Sequence, residues 1–183
     1  MFQLTQEVRL LSNAGELAPS EAPRQPSNQE VAEVLFNIAT LLQMQNANPY
    51  RIEAYRNAAR NLLMLTEPVA AILARNEVLE LPGLGMRLRR KIGELVATGR
   101  MTFYDDLCEE SLPEDARALM RVRHVGPRTA LRLTDHLRIH TVEQLWRAAE
   151  TRQLRQYHGF GARSERRLAD GARAVLAEQA RAA

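Results

Sequence analysis

Three segments of this chain repeat one plan, and that plan restricts what the chain can fold into. They are LPGLGMRLRRKI (residues 81–92), VRHVGPRTALRL (122–133) and YHGFGARSERRL (157–168). Each opens on an apolar or aromatic residue, passes through an x-Gly-x-Gly turn, and runs through polar or basic residues into an amphipathic helix. The second copy departs by carrying His124 where the others carry their first glycine, Gly83 and Gly159. A tight glycine turn reverses the backbone at low steric cost and places N–H groups near the start of the following helix, where an anion is favoured. The copies are too unevenly spaced for a solenoid.

The rest of the chain reads as helix as well. Aromatics make up only 5% of the 183 residues, and runs of alternating β-branched residues are almost absent, which predicts an all-α fold in two helical modules. A flexible tail is expected over residues 1–27, where the apolar patch Val8, Leu10 and Leu11 gives way to a stretch rich in Pro, Ser, Ala and Gln. Order is expected from Asn28 as N-cap, with Val31, Val34, Leu35, Ile38, Leu41 and Leu42 at helical spacing. Asn48 and Pro49 then start a second helix, and residues 67–79 read as a short third. Glu109 to Pro113 reads as a linker, so the first module spans 28–109 with the first hairpin, and the second spans 110–183 with the other two.

Net charge is only +3, so an anionic partner has to be met by a local patch. Basic side chains follow every turn: Arg87, Arg89 and Arg90, then Arg128 and Arg132, then Arg163, Arg166 and Arg167. Cys108 is the single cysteine, which fits a reducing cytoplasm, and no apolar run is long enough to span a bilayer. The expectation is a soluble cytoplasmic protein with no membrane partner. The four histidines show no zinc spacing with cysteine, and no side-chain metal site is expected.

Each copy resembles the helix-hairpin-helix motif, in which the hairpin amides and the next helix N-terminus hold a DNA phosphate without reading bases. That resemblance implies phosphate contacts around Gly83, Gly85, Gly126, Gly159 and Gly161, with Arg87, Arg89, Arg90, Arg128 and Arg163 neutralising neighbouring phosphates. It also permits a sodium or potassium ion at the hairpin carbonyls of Leu79, Leu81 and Leu84. No other cofactor is implied.

Over residues 28–175 the order of motifs resembles the amino-terminal region of family X DNA polymerases. NPYRIEAYRNAARNL followed by LELPGLGMRLRRKIGELVATG is similar to that family's lyase domain, and VRHVGPRTALRL with the segment through YHGFG is similar to the adjoining hairpin subdomain. The palm that carries the polymerase carboxylates has no counterpart in these residues, which points away from polymerase activity for this chain alone. The resemblance places Lys91 where the family has a lysine that forms a Schiff base with an abasic or deoxyribose-phosphate aldehyde. It places Tyr55 on the facing helix, near the amine, with Arg51 and Arg87 beside the flanking phosphates.

Lys91 is the only lysine among 25 lysine and arginine residues. Only a primary amine can form an imine, because guanidinium stays protonated. Helical spacing sets Arg87 and Lys91 on one flank, so burial and the Arg87 charge are expected to lower the amine pKa. The alternative is a solvated cation paired with Glu94 three residues on. The sequence thus supports a sequence-independent binder of gapped, nicked or abasic DNA with deoxyribose-phosphate lyase chemistry at Lys91. It leaves open a non-catalytic accessory that recruits a DNA repair enzyme, and a protein–protein scaffold on the same fold.

Overall fold

The computed structural model describes residues 25–182, so the patch of Val8, Leu10 and Leu11 and most of the expected tail lie outside the described residues. Among the described residues there are nine α-helices and one 3₁₀ turn, with no strand, as composition predicts. They are α1 (Asn28–Met44), α2 (Pro49–Met64), α3 (Val69–Ala74), α4 (Met86–Thr98), α5 (Thr102–Ser111), α6 (Glu114–Leu119), α7 (Pro127–Asp135), α8 (Val142–Glu150) and α9 (Ala162–Ala182).

The way each helix starts sorts the nine into two groups. Free N–H groups in a first turn need an acceptor from outside the helix. Ser27 supplies it for α1 through a reciprocal capping box with Glu30, and Asn48 accepts from Tyr50 N for α2. Asn28, expected as the cap of α1, is instead its first helical residue: Ser27 precedes it in extended conformation, and the Asn28 side chain accepts from Val69 N at 2.7 Å. It thereby caps α3 from across the fold and ties α1 to that helix. Glu94 does the same for α5, accepting from Thr102 N at 2.8 Å, while Asp115 accepts from Ala116 N in α6 and Thr141 from Gln144 N in α8. The three helices that follow the hairpins, α4, α7 and α9, have no side-chain acceptor on their first-turn amides among the described residues.

Packing is organised by α1, which buries Val31, Leu35, Ile38 and Leu42 and packs most extensively on α2, whose Ile52, Tyr55, Ala59 and Leu62 are buried as well. The same helix also touches α4, α5 and α7, and the buried apolar residues form one cluster from Val31 to Val175. Helix α4 buries Ile92, Leu95 and Val96 and stops at Gly99, whose φ of 73° lets the chain leave in the left-handed conformation. Two expectations change in extent. The third helix is shorter than residues 67–79, closing at Ala74. Glu109 to Ser111, read as linker, continue α5, because buried Leu107, Cys108 and Leu112 hold that turn on the core.

Candidate nucleic-acid interface and lysine site

The hairpins share a backbone geometry as well as a sequence plan. In each, the fourth turn residue donates its amide to the carbonyl of the first: Leu84 to Leu81 at 3.1 Å, Val125 to Val122 at 3.0 Å, and Phe160 to Tyr157 at 3.1 Å. The third residue is left-handed in all three, with φ of 73° at Gly83, 69° at His124 and 87° at Gly159. The fourth is a buried apolar anchor, Leu84, Val125 or Phe160. Gly85 and Gly126 are extended immediately before α4 and α7, and Gly161 immediately precedes α9. His124 therefore takes up the conformation that glycine holds in the other copies, with its side chain exposed.

Around these turns Arg87, Arg90 and Arg163 are exposed, Arg89 is half-buried, and Arg51 is exposed on α2. Arg128 donates to Gln43 Oε1 at 2.8 Å, and Arg56 donates to the same oxygen at 2.8 Å, so α2 and α7 meet on α1. Arg132, expected among the phosphate-neutralising residues, is committed to the fold. Its guanidinium donates to the His158 carbonyl and lies 4.8 Å from the Phe160 ring centroid, which joins the second hairpin's helix to the third hairpin. The buried Glu165 carboxylate fixes the start of α9, accepting from Arg155 Nε at 2.5 Å and Arg155 N at 3.1 Å. Arg121, Arg123 and His124 also line a groove of about 490 Å³ with Arg167 of α9; Arg121 precedes the turn and Arg123 is its second residue, whereas the repeat plan counted only basic residues that follow the turn.

The first hairpin leads into a compact site at Lys91. Nζ donates to Tyr55 Oη at 3.1 Å, which brings α4 onto α2. The same amine lies 3.1 Å from the centroid of Phe103 on α5 and 5.8 Å from that of Tyr55. Those two rings are nearly parallel, 12° apart in plane with centroids 6.1 Å apart, and the Arg51 guanidinium sits 5.0 Å from the Phe103 centroid. Partial burial first, and the Arg51 charge second, pull the Lys91 pKa down to about 8, against a smaller opposing pull from Glu94. Burial raises the Tyr55 pKa, so its hydroxyl is neutral at physiological pH and accepts from the ammonium.

Some side chains sit otherwise than their spacing suggests. The like charge acting on Lys91 is Arg51 from α2, rather than Arg87 one turn back on α4, because the amine leans toward α2 and α5. Glu94, the alternative partner of Lys91, turns its carboxylate to Thr102, accepting from N at 2.8 Å and from Oγ1 at 2.5 Å. Phe103, an apolar residue where the family resemblance implies a supporting lysine, has no role assigned by reasoning along the chain. It is twelve positions from Lys91 and reaches it through the α4–α5 turn, so no local periodicity marks it. Tyr50 is 87% exposed, whereas Tyr55 is buried. At the hairpin carbonyls, Leu79 O already accepts from Leu81 N and Leu81 O from Leu84 N, which leaves one lone pair on each for a cation. Burial pushes the Cys108 thiol up to about 11, which keeps it protonated. No helix among the described residues is long and apolar enough to cross a membrane.

Comparison with known proteins matches residues 26–101 to a helix-hairpin-helix domain and residues 116–174 to a SAM-like helix-hairpin-helix tandem. A curated relative, the DNA polymerase/3'-5' exonuclease PolX of Bacillus subtilis (strain 168), is 24% identical over 140 residues, covering 76% of this chain. The chain spans 24% of that relative's length. These residues thus carry two helix-hairpin-helix regions and resemble a family X polymerase across them.

Proposed function

We propose that these two helix-hairpin-helix regions form a DNA-binding module that grips backbone phosphates at gapped, nicked or abasic sites and presents Lys91 to the lesion. One observation carries the reading. Among the described residues, every helix that does not follow a hairpin has a first-turn amide satisfied by a side chain, and the three that follow hairpins do not. Amides left open at glycine turns, with a helix dipole behind them, form an anion concavity. A phosphate oxygen supplies the missing acceptor, and exposed Arg87, Arg90 and Arg163 add charge next to it. Backbone donors do not distinguish bases, so binding is sequence-independent. The PolX likeness supports DNA as the polymer, and DNA repair as the setting.

At Lys91 the proposed chemistry is deoxyribose-phosphate lyase. The ammonium loses a proton to solvent, and neutral Nζ adds to the C1' aldehyde of the opened sugar. The carbinolamine takes a proton back from solvent and loses water to give an iminium. Its electron withdrawal acidifies C2', and departure of that proton expels the phosphate from C3' with the C–O bonding pair. Water then hydrolyses the imine and frees the amine. Tyr55 orients Nζ; as a neutral phenol it is not the base at C2', a role that falls to water. A pKa near 8 leaves about a tenth of the amine neutral at pH 7, far more than an ordinary lysine offers.

The test of the DNA-binding reading is titration of a gapped duplex at several salt concentrations. Affinity is expected to fall steeply with salt, with a log–log slope of roughly −0.9 for each phosphate neutralised. Replacing Arg87, Arg90 and Arg163 together by Gln is expected to flatten that slope without changing preference among sequences. A chain that does not bind gapped DNA at low salt refutes the reading and leaves the scaffold alternative.

A further inference from the structure

We propose that Phe103 is the charge platform of the Lys91 site: its ring face, with the centroid 3.1 Å from Nζ, holds the positive charge that a Schiff base at this amine carries. This rests on reading Lys91 as a carbonyl-reactive amine. An aromatic face carries a negative quadrupole and attracts a cation set over it, more strongly where water is partly displaced. Schiff-base formation starts and ends with one positive charge on nitrogen. An ammonium and an aldehyde become an iminium and a water. The species between them, free amine and carbinolamine, are neutral. A π face therefore opposes loss of the first proton, yet favours the dehydration that produces the iminium. The planar iminium also suits a flat surface better than a tetrahedral ammonium does.

The ring is held for this role by other elements. Phe103 lies in the first turn of α5, which Glu94 of α4 clamps through both the amide and the hydroxyl of Thr102. Buried Met101 is the N-cap residue of α5, and the near-parallel Tyr55 ring of α2 flanks the Phe103 ring beside the amine. The charged and titratable groups that face Nζ are Arg51 and Tyr55 of α2 and Glu94 of α4. Arg51 disfavours positive charge at this spot, and the ring opposes it.

Because Lys91 is the only lysine, its amine can be followed without assignment. Reductive methylation with ¹³C-formaldehyde labels Lys91 and the terminal amine, and the Lys91 pKa is read from carbon shift against pH. Phe103→Leu, with a folded circular dichroism spectrum, is expected to lower that pKa by about half a unit to one unit, and Phe103→Trp to keep it. Pentafluorophenylalanine at position 103 preserves shape while reversing the quadrupole, and is expected to act as Leu does, so the test does not depend on one variant folding. In parallel, cyanoborohydride capture of propanal, measured above the amine pKa, is expected to slow roughly three- to tenfold in the Leu variant, the same half to one unit expressed as an equilibrium. A ring that merely fills space predicts the opposite pairing: water enters, the pKa rises toward 10.5, and capture does not slow. A pKa that stays or rises in both altered proteins overturns the proposal. A wild type that fails to trap abasic DNA, while both variants still lower the pKa and slow capture, refutes the lyase reading and upholds the platform.

Discussion

Exchanging glycine and side chain at the third turn position tests whether the three hairpins are one device. The left-handed conformation costs an L residue roughly 1–2 kcal/mol relative to its ordinary regions. Replacing glycine also gains about 0.4–1 kcal/mol by restricting the unfolded chain. A Cβ at Gly83 meets nothing within 4 Å, so only these two effects act, and Gly83→Ala is expected to destabilise by roughly 0.5–1 kcal/mol. His124 holds φ of 69° with an exposed side chain, so His124→Gly reverses the sign and stabilises by a similar amount. At Gly159 a Cβ comes within 2.8 Å of Arg132 Nη1, which displaces the guanidinium that bonds the His158 carbonyl and covers Phe160. Gly159→Ala is therefore the most damaging. In urea, at about 1–3 kcal/mol per molar, these effects move the midpoint by a few tenths of a molar unit. Equilibrium unfolding followed by circular dichroism should rank the proteins His124→Gly, wild type, Gly83→Ala, Gly159→Ala, from most to least stable. A destabilised His124→Gly or a neutral Gly83→Ala refutes the shared geometry.

Other outcomes follow from particular contacts. Arg51→Gln removes the like charge beside Lys91, so the amine pKa rises from about 8, and the pH at which aldehyde capture is half-maximal moves up with it; an unchanged midpoint contradicts the assignment of Arg51. Two mid-helix glycines should respond with opposite signs in thermal unfolding. Gly93→Ala, with open space at its Cβ, gains about 0.5–1 kcal/mol of helix stability. Gly171→Ala crowds Val122 Cγ1 at 3.0 Å and the Arg123 backbone at 3.3 Å, where overpacking of about 1–3 kcal/mol outweighs that gain. Glu165→Ala leaves the Arg155 amide without its acceptor under the third hairpin and is expected to cost about 1–3 kcal/mol by denaturant titration.

The three hairpins were legible along the chain because glycine, apolar anchor and helix period are local signals, and the structure returns the same turn at each. Helix starts were legible where the cap is local, as at Asn48. They were misplaced at α1, where Ser27 frees the Asn28 side chain to cap α3. The Lys91 surroundings were only half legible. Tyr55 lies on the helix that the family resemblance indicated, but Arg51 acts where Arg87 was expected, and Phe103 arrives from α5 through a turn whose geometry no spacing rule encodes. The same holds for Arg132, a basic residue in a basic run, which is drawn inward by an aromatic ring in the next hairpin.

Borohydride trapping on DNA that carries a 5'-deoxyribose-phosphate at a one-nucleotide gap addresses the central claim most directly. Wild type is predicted to form a covalent adduct that peptide mass mapping places on Lys91, with the adduct lost in Lys91→Ala and in Lys91→Arg, both of which still bind the gapped duplex. An adduct of equal yield in the Lys91 variants, or none in a wild type that binds the DNA, would contradict it.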